Sequence, residues 1–97
     1  MPANVYDKAI EIIHERGWVQ GGEIRGGSGG TCLMLALCEA DLNIDWRATL
    51  RHLDLTAIIA WNDTPGRTAD EVIAKLKLAS ETYELEHEAA LKSPPTP

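Results

Sequence analysis

"TCLMLALCEA", residues 31–40, is rich in Leu, Met and Ala and has no β-branched residue after its threonine, so it reads as a helix in place of a buried strand. Thr31 has the hydroxyl of a helix N-cap. Apolar side chains point all round the run, the pattern of a helix wrapped by its neighbours, and it is expected to be the enclosed central helix of the domain. Cys32 and Cys38 are about 240° apart at 100° per residue, too divergent to bridge each other, and are expected as buried, reduced packing residues.

The tract ahead of this helix, residues 17–30, holds every glycine except Gly66 and excludes helix. A short extended piece is expected around Trp18–Gln20. The glycines admit three readings. They form a flexible connector, or an anion nest in which Gly29, Gly30, Thr31 and Arg25 would hold a phosphate or nucleotide at the start of the helix, or a joint of the "GGSGG" kind a designer writes. A phosphate loop wants a lysine before the threonine, and a dinucleotide fingerprint wants a strand before its glycines. Neither is present, which favours the connector.

Outward from there the pattern stays helical. Asn4 can cap a helix whose Val5, Ala9, Ile12 and Ile13 share a face and which stops at Gly17. Asp45 can cap a stripe of Trp46, Leu50, Leu53, Ala57, Ala60 and Trp61, with a break expected near Asp54–Thr56. Pro65 and Gly66 suit the second and third positions of a type II turn. Thr68 and Glu71 form a capping box for the longest helix, whose Val72, Ile73, Leu76, Ala79, Tyr83 and Ala90 face a core. The expected fold is therefore all-α: one small domain of four to five helices over residues 1–92, a Gly-rich loop at 17–30, and a flexible Pro-rich tail at 93–97.

Composition narrows the function classes. At 97 residues, 44% apolar and 25% charged, the chain is globular but short of room for a deep cleft beside a core. Fifteen acidic residues against nine basic, net −6 and scattered, argue against nucleic acid as a partner. No apolar span approaches the ~18 residues of a membrane helix and no leader-like stretch opens the sequence, so no membrane and a cytoplasmic location are expected. His14, His52 and His87 share no ligand spacing, and no metal or cofactor is expected.

Three stretches carry a family resemblance: "RGWVQGG" (16–22), "CLMLAL" (32–37) and "WNDTPGRTADEVIAKLKLA" (61–79). Together they resemble a family of small proteins of uncharacterised function encoded by actinobacteria and their phages, in which GW-x-Q-G, a Cys-led apolar helix and W-N-D-x-P-G-R-T recur in this order. The matching positions are Gly17, Trp18, Gln20, Gly21, Cys32, Trp61, Asn62, Asp63, Pro65, Gly66, Arg67 and Thr68. A small residue usual in that family is replaced here by Met34 or Leu35. The resemblance implies a fold and a phage or actinobacterial origin, with the host cytoplasm as location if phage-encoded; it implies no reaction.

Asn62, Asp63 and Arg67 form a polar trio that either builds the turn or makes a polar site, with Trp18 and Gln20 as its natural neighbours. Turn chemistry alone accounts for all three, with Arg67 bonding free carbonyls or Asp63. Leu78 and Leu85 fall about 20° apart and opposite the core stripe of the last helix, extended by Ala74 and Ala89. A second apolar line on a charged helix points to a partner, either a host protein or a second copy. The expected function is a non-enzymatic protein-interaction module using this line or the Trp18 segment; the alternative is a small anion- or nucleotide-binding domain using the glycine tract.

Overall fold

The computed structural model describes residues 3–20 and 30–92, with the backbone alone for residues 89–92. Arg25 and Gly29 of the expected anion site, and the tail 93–97, lie outside the described residues. Among the described residues five helices follow in order: α1 (Val5–Arg16), α2 (Leu33–Ala40), α3 (Trp46–Leu53), α4 (Ile58–Asn62) and α5 (Ala69–Lys92). The fold is all-α, as the pattern predicts.

Each boundary has a local cause. Asn4 Oδ1 accepts the Asp7 N–H at 2.9 Å and opens α1. Gly17, at φ 82, closes it with its N–H on Ile13 O. Asp45 Oδ1 accepts the N–H groups of Arg47 and Ala48 and opens α3. Asp54 in the left-handed region ends that helix, and the expected break near Asp54–Thr56 separates α3 from α4. Arg67 N–H reaches Thr64 O across Pro65 and Gly66, the latter at φ 85, as a type II turn requires. Thr68 and Glu71 then exchange side-chain-to-backbone hydrogen bonds, a formed capping box.

Two expectations about α2 need correction. Its cap is Cys32, whose Sγ accepts the Leu35 N–H at 3.4 Å, and the helix starts at Leu33. Thr31 is held elsewhere: its N–H donates to Gly17 O and its C=O accepts from Val19 N–H, a single parallel bridge beside Trp18. Nor is the helix wrapped on all sides. Leu33, Ala36 and Leu37 are buried, whereas Leu35 is 41% exposed and both cysteines are half-buried. The reason is that α2 packs against α1 and α4, leaving its remaining face to solvent.

α1 sits between α2 and α5, and α3 lies along α5. Tyr6, Ala9 and Ile13 of α1 meet Leu33, Ala36 and Leu37 of α2, Leu53, Ile58, and Val72, Leu76 and Ala79 of α5 in one core. Full burial of a leucine stabilises by about 1.5–3 kcal/mol. The expected stripe through Ala57 and Ala60 does not enter this core: both are exposed, because Ala57 is the extended residue before α4.

Candidate functional site

The polar trio of the sequence becomes a structural latch. Asn62, the last residue of α4, is 1% exposed and its Oδ1 accepts two donors, the Trp18 indole N–H at 2.6 Å and the Leu33 backbone N–H at 3.0 Å. Its Nδ2 donates to Val19 O and Asp63 Oδ1. Gln20 Nε2 donates to the carbonyls of Asn62 and Thr64. Arg67 lies 4.0 Å over the Trp61 ring, donates to Trp61 O at 3.1 Å, and pairs with Glu71 at 2.8 Å. The segments "GWVQ" and "WNDTPGR" thus meet in space and fasten the extended Trp18 segment, the start of α2 and the end of α4 together. The polar ends of Trp18 and Gln20 are directed inward by this arrangement.

The start of α2 is engaged by the same latch. The N–H groups of Thr31 and Leu33 bond Gly17 O and Asn62 Oδ1, and that of Leu35 bonds Cys32 Sγ. An anion at Thr31 would have to displace these partners, so the geometry gives the anion-binding reading no support at the residues described.

A second polar cluster had no sequence signal, since its members are 34 and 46 positions apart. His52 of α3 has its Nε2 2.8 Å from Glu86 of α5 and its Nδ1 2.6 Å from the Tyr6 hydroxyl of α1. Because a carboxylate only accepts, Nε2 carries the proton toward Glu86, and in the neutral ring Nδ1 accepts from Tyr6. Tyr83 packs edge-on to both rings, and the exposed His87 stacks on Tyr83. Asn4, Thr49, Asp41 and Asp45 complete a cleft of about 330 Å³ above this cluster. Hydroxyl, imidazole and carboxylate stand in the order of a catalytic relay. Yet Tyr6 is 1% exposed, and burial pushes its phenol above the usual value, the opposite of an activated nucleophile. The cluster acts as a bolt joining α1, α3 and α5.

Two apolar surfaces remain. A hollow of about 300 Å³ is lined by Met34, Trp46, Leu50, Thr56, Ala57, Ile58 and Ile59, with no charged side chain to select an occupant. On α5, Val72, Leu76 and Ala79 face the core while Leu78 and Leu85 are 59% and 66% exposed on the opposite side. Ala74 extends that line and is exposed; the side chain of Ala89 lies outside the described residues.

Among the described residues, no helix is long and apolar enough to cross a membrane. Comparison with curated proteins and with solved structures returns no match. A family model spans residues 1–82, covering the latch, Tyr6 and His52 of the bolt, and α5 as far as Thr82, and the chain belongs to the Family of unknown function (DUF6197).

Proposed function

We propose that this domain is a non-enzymatic protein-interaction module that docks on another protein through the outer face of α5. The observation that carries the reading is the pair Leu78 and Leu85, both more than half exposed and, at 100° per residue, about 130–150° round the helix from its buried stripe. Placing two leucines in water on one line of a charged helix has a use when a second surface covers them. The latch and the bolt support the reading by satisfying the other conspicuous polar groups within the fold. The likeness of the GW-x-Q-G and W-N-D-x-P-G-R-T elements adds a phage or actinobacterial origin, with a host or cognate protein as the partner.

The test compares the wild-type chain with Leu78→Asp/Leu85→Asp as bait in an actinobacterial lysate, alongside thermal melts of both. Both positions are exposed, so the variant is expected to melt as the wild type does and to lose its specific captures. Equal capture by the two baits would remove the α5 face from the account.

A further inference from the structure

The cleft above the bolt has a chemistry that the bolt does not use. Its volume of about 330 Å³ falls at the small end of the ~300–1,000 Å³ of small-molecule sites. The polar groups of its floor are committed within the fold. Asn4 Nδ2 donates to Ser80 and Glu84, the Thr49 hydroxyl to Asp45 O, the Tyr6 hydroxyl to His52 Nδ1, and His52 Nε2 to Glu86. An incoming anion would find these donors taken, and no lysine or arginine lines the cleft among the described residues.

The rim is different. Asp41 and Asp45 both line the cleft, brought to one side by the turn in which Ile44 N–H bonds Asp41 O at 3.2 Å. Each uses Oδ1 on backbone N–H groups, Asp41 on Asn43 and Asp45 on Arg47 and Ala48. Neither is in an ion pair among the described residues, where Arg51 and His52 are drawn to Glu86 instead. Asp41 is also the C-cap of α2, whose last turn holds no basic residue, so the negative end of that helix adds to the same potential. Val5, Ile44, Ala48 and the Tyr83 ring supply an apolar wall beside the two carboxylates.

We infer that this cleft binds a small primary amine in its ammonium form, with the positive head at Asp41 and Asp45 and an apolar body against Val5, Ile44, Ala48 and Tyr83. An ammonium brings three donors to the two carboxylates. A metal ion would want more ligands and has no use for the wall, and among the described residues no group of three His, Cys, Asp or Glu is placed to hold one. Exposed carboxylates attract a cation only weakly in water, so a dissociation constant on the order of 1 mM is expected for an amine of this size. The site is separate from docking through Leu78 and Leu85, neither of which lines it.

Titration of the full chain with phenethylamine to about 10 mM, followed by amide NMR shifts, tests the assignment. Saturable shifts concentrated over residues 41–49 and at Tyr83 are expected, with phenethyl alcohol about tenfold weaker and phenylpropionate without effect. Asp41→Asn and Asp45→Asn each keep the oxygen that accepts the backbone N–H, and asparagine caps a helix as well as aspartate does. Both should therefore melt as the wild type does and bind the amine about fivefold more weakly. Should a variant melt early, the amine and alcohol on the wild-type chain still decide. Equal binding of the two, unchanged affinity in both variants, or no saturation by 10 mM overturns the assignment. So do shifts scattered over the glutamates of α5, which would mark the diffuse attraction of an acidic chain for cations.

Discussion

The Trp18 indole N–H donates to Asn62 Oδ1 at 2.6 Å, and the oxygen that receives it also accepts the first N–H of α2, from Leu33. One buried amide therefore replaces the local cap that a helix of eight residues would otherwise need on that donor. Replacing Asn62 by leucine leaves two buried donors unpaired. The expected loss is about 3 kcal/mol, or roughly 15 °C in melting temperature for a domain of this size. Asn62→Asp keeps an acceptor but removes both Nδ2 donations and sets a charge beside Asp63, so it is also expected to destabilise. Circular dichroism melts check this, and an Asn62→Leu chain melting within about 3 °C of the wild type would show that the latch holds little.

Gly30 lies where the chain approaches its own backbone. A Cβ there would meet Val19 Cγ1 at 2.5 Å and Gly17 O at 3.1 Å. Gly30→Ala is expected to cost about 1–3 kcal/mol through this overlap. Val19→Ala removes the nearer atoms, so the double variant should be more stable than the sum of the single losses predicts, although the Gly17 carbonyl limits the recovery. A double-mutant cycle by urea unfolding measures the coupling, and strict additivity would mean that the clash is relieved by other movement.

The caps at Asn4 and Asp45, the Thr68–Glu71 box and the Pro65–Gly66 turn were legible because each depends on residues within four positions of one another. Leu78 and Leu85 were legible on the outer side of α5 for the same reason: helical period fixes direction. The exposure of Leu35 was not, because an all-apolar run says nothing about how many neighbours are long enough to cover it. The sequence points to Thr31 as the cap, and the position falls to the adjacent Cys32 because the backbone of Thr31 joins the Trp18 segment. The motif residues of the latch stood out as strings, but that Trp18 bonds Asn62 depends on how α1, α2 and α4 stack. His52 gave no signal at all, since both its partners come from other helices.

The bolt makes stability depend on pH at both ends of the scale. The Arg51 hydrogen bond, with the His52 contact, holds the Glu86 carboxyl below its ordinary 4.5 against the opposing effect of burial. A carboxylate held down in the fold contributes stability above its unfolded value, so this contribution is present above about pH 4.5 and is lost as pH falls through the lower folded value. Burial raises the Tyr6 phenol above 10.0, so its contribution is full below pH 10.0 and is lost as pH rises toward the folded value. Urea midpoints across pH 3–11 are expected to fall at both limbs. Glu86→Gln should flatten the acid limb and Tyr6→Phe the alkaline one, each leaving the other limb in place. A Tyr6→Phe profile with an unchanged alkaline limb would assign that loss to other groups.

Two turns near α4 test the backbone account with effects of opposite sign. Asp54 ends α3 at φ 56, a left-handed conformation that strains any residue with a Cβ, and it sets a negative charge at the negative end of the helix dipole. Asp54→Gly relieves both and is expected to stabilise by about 1 kcal/mol, although the glycine's freedom in the unfolded chain offsets part of the gain. Gly66 adopts φ 85 with nothing within 4 Å of where a Cβ would stand. Gly66→Ala should therefore destabilise by about 1 kcal/mol through backbone strain alone, without any steric clash. Neither residue touches the outer face of α5, so paired melts should move in opposite directions while association through Leu78 and Leu85 stays as it is. A rise in melting temperature for both variants would mean that the turn at Gly66 tolerates a side chain, and that its left-handed backbone does not explain the glycine.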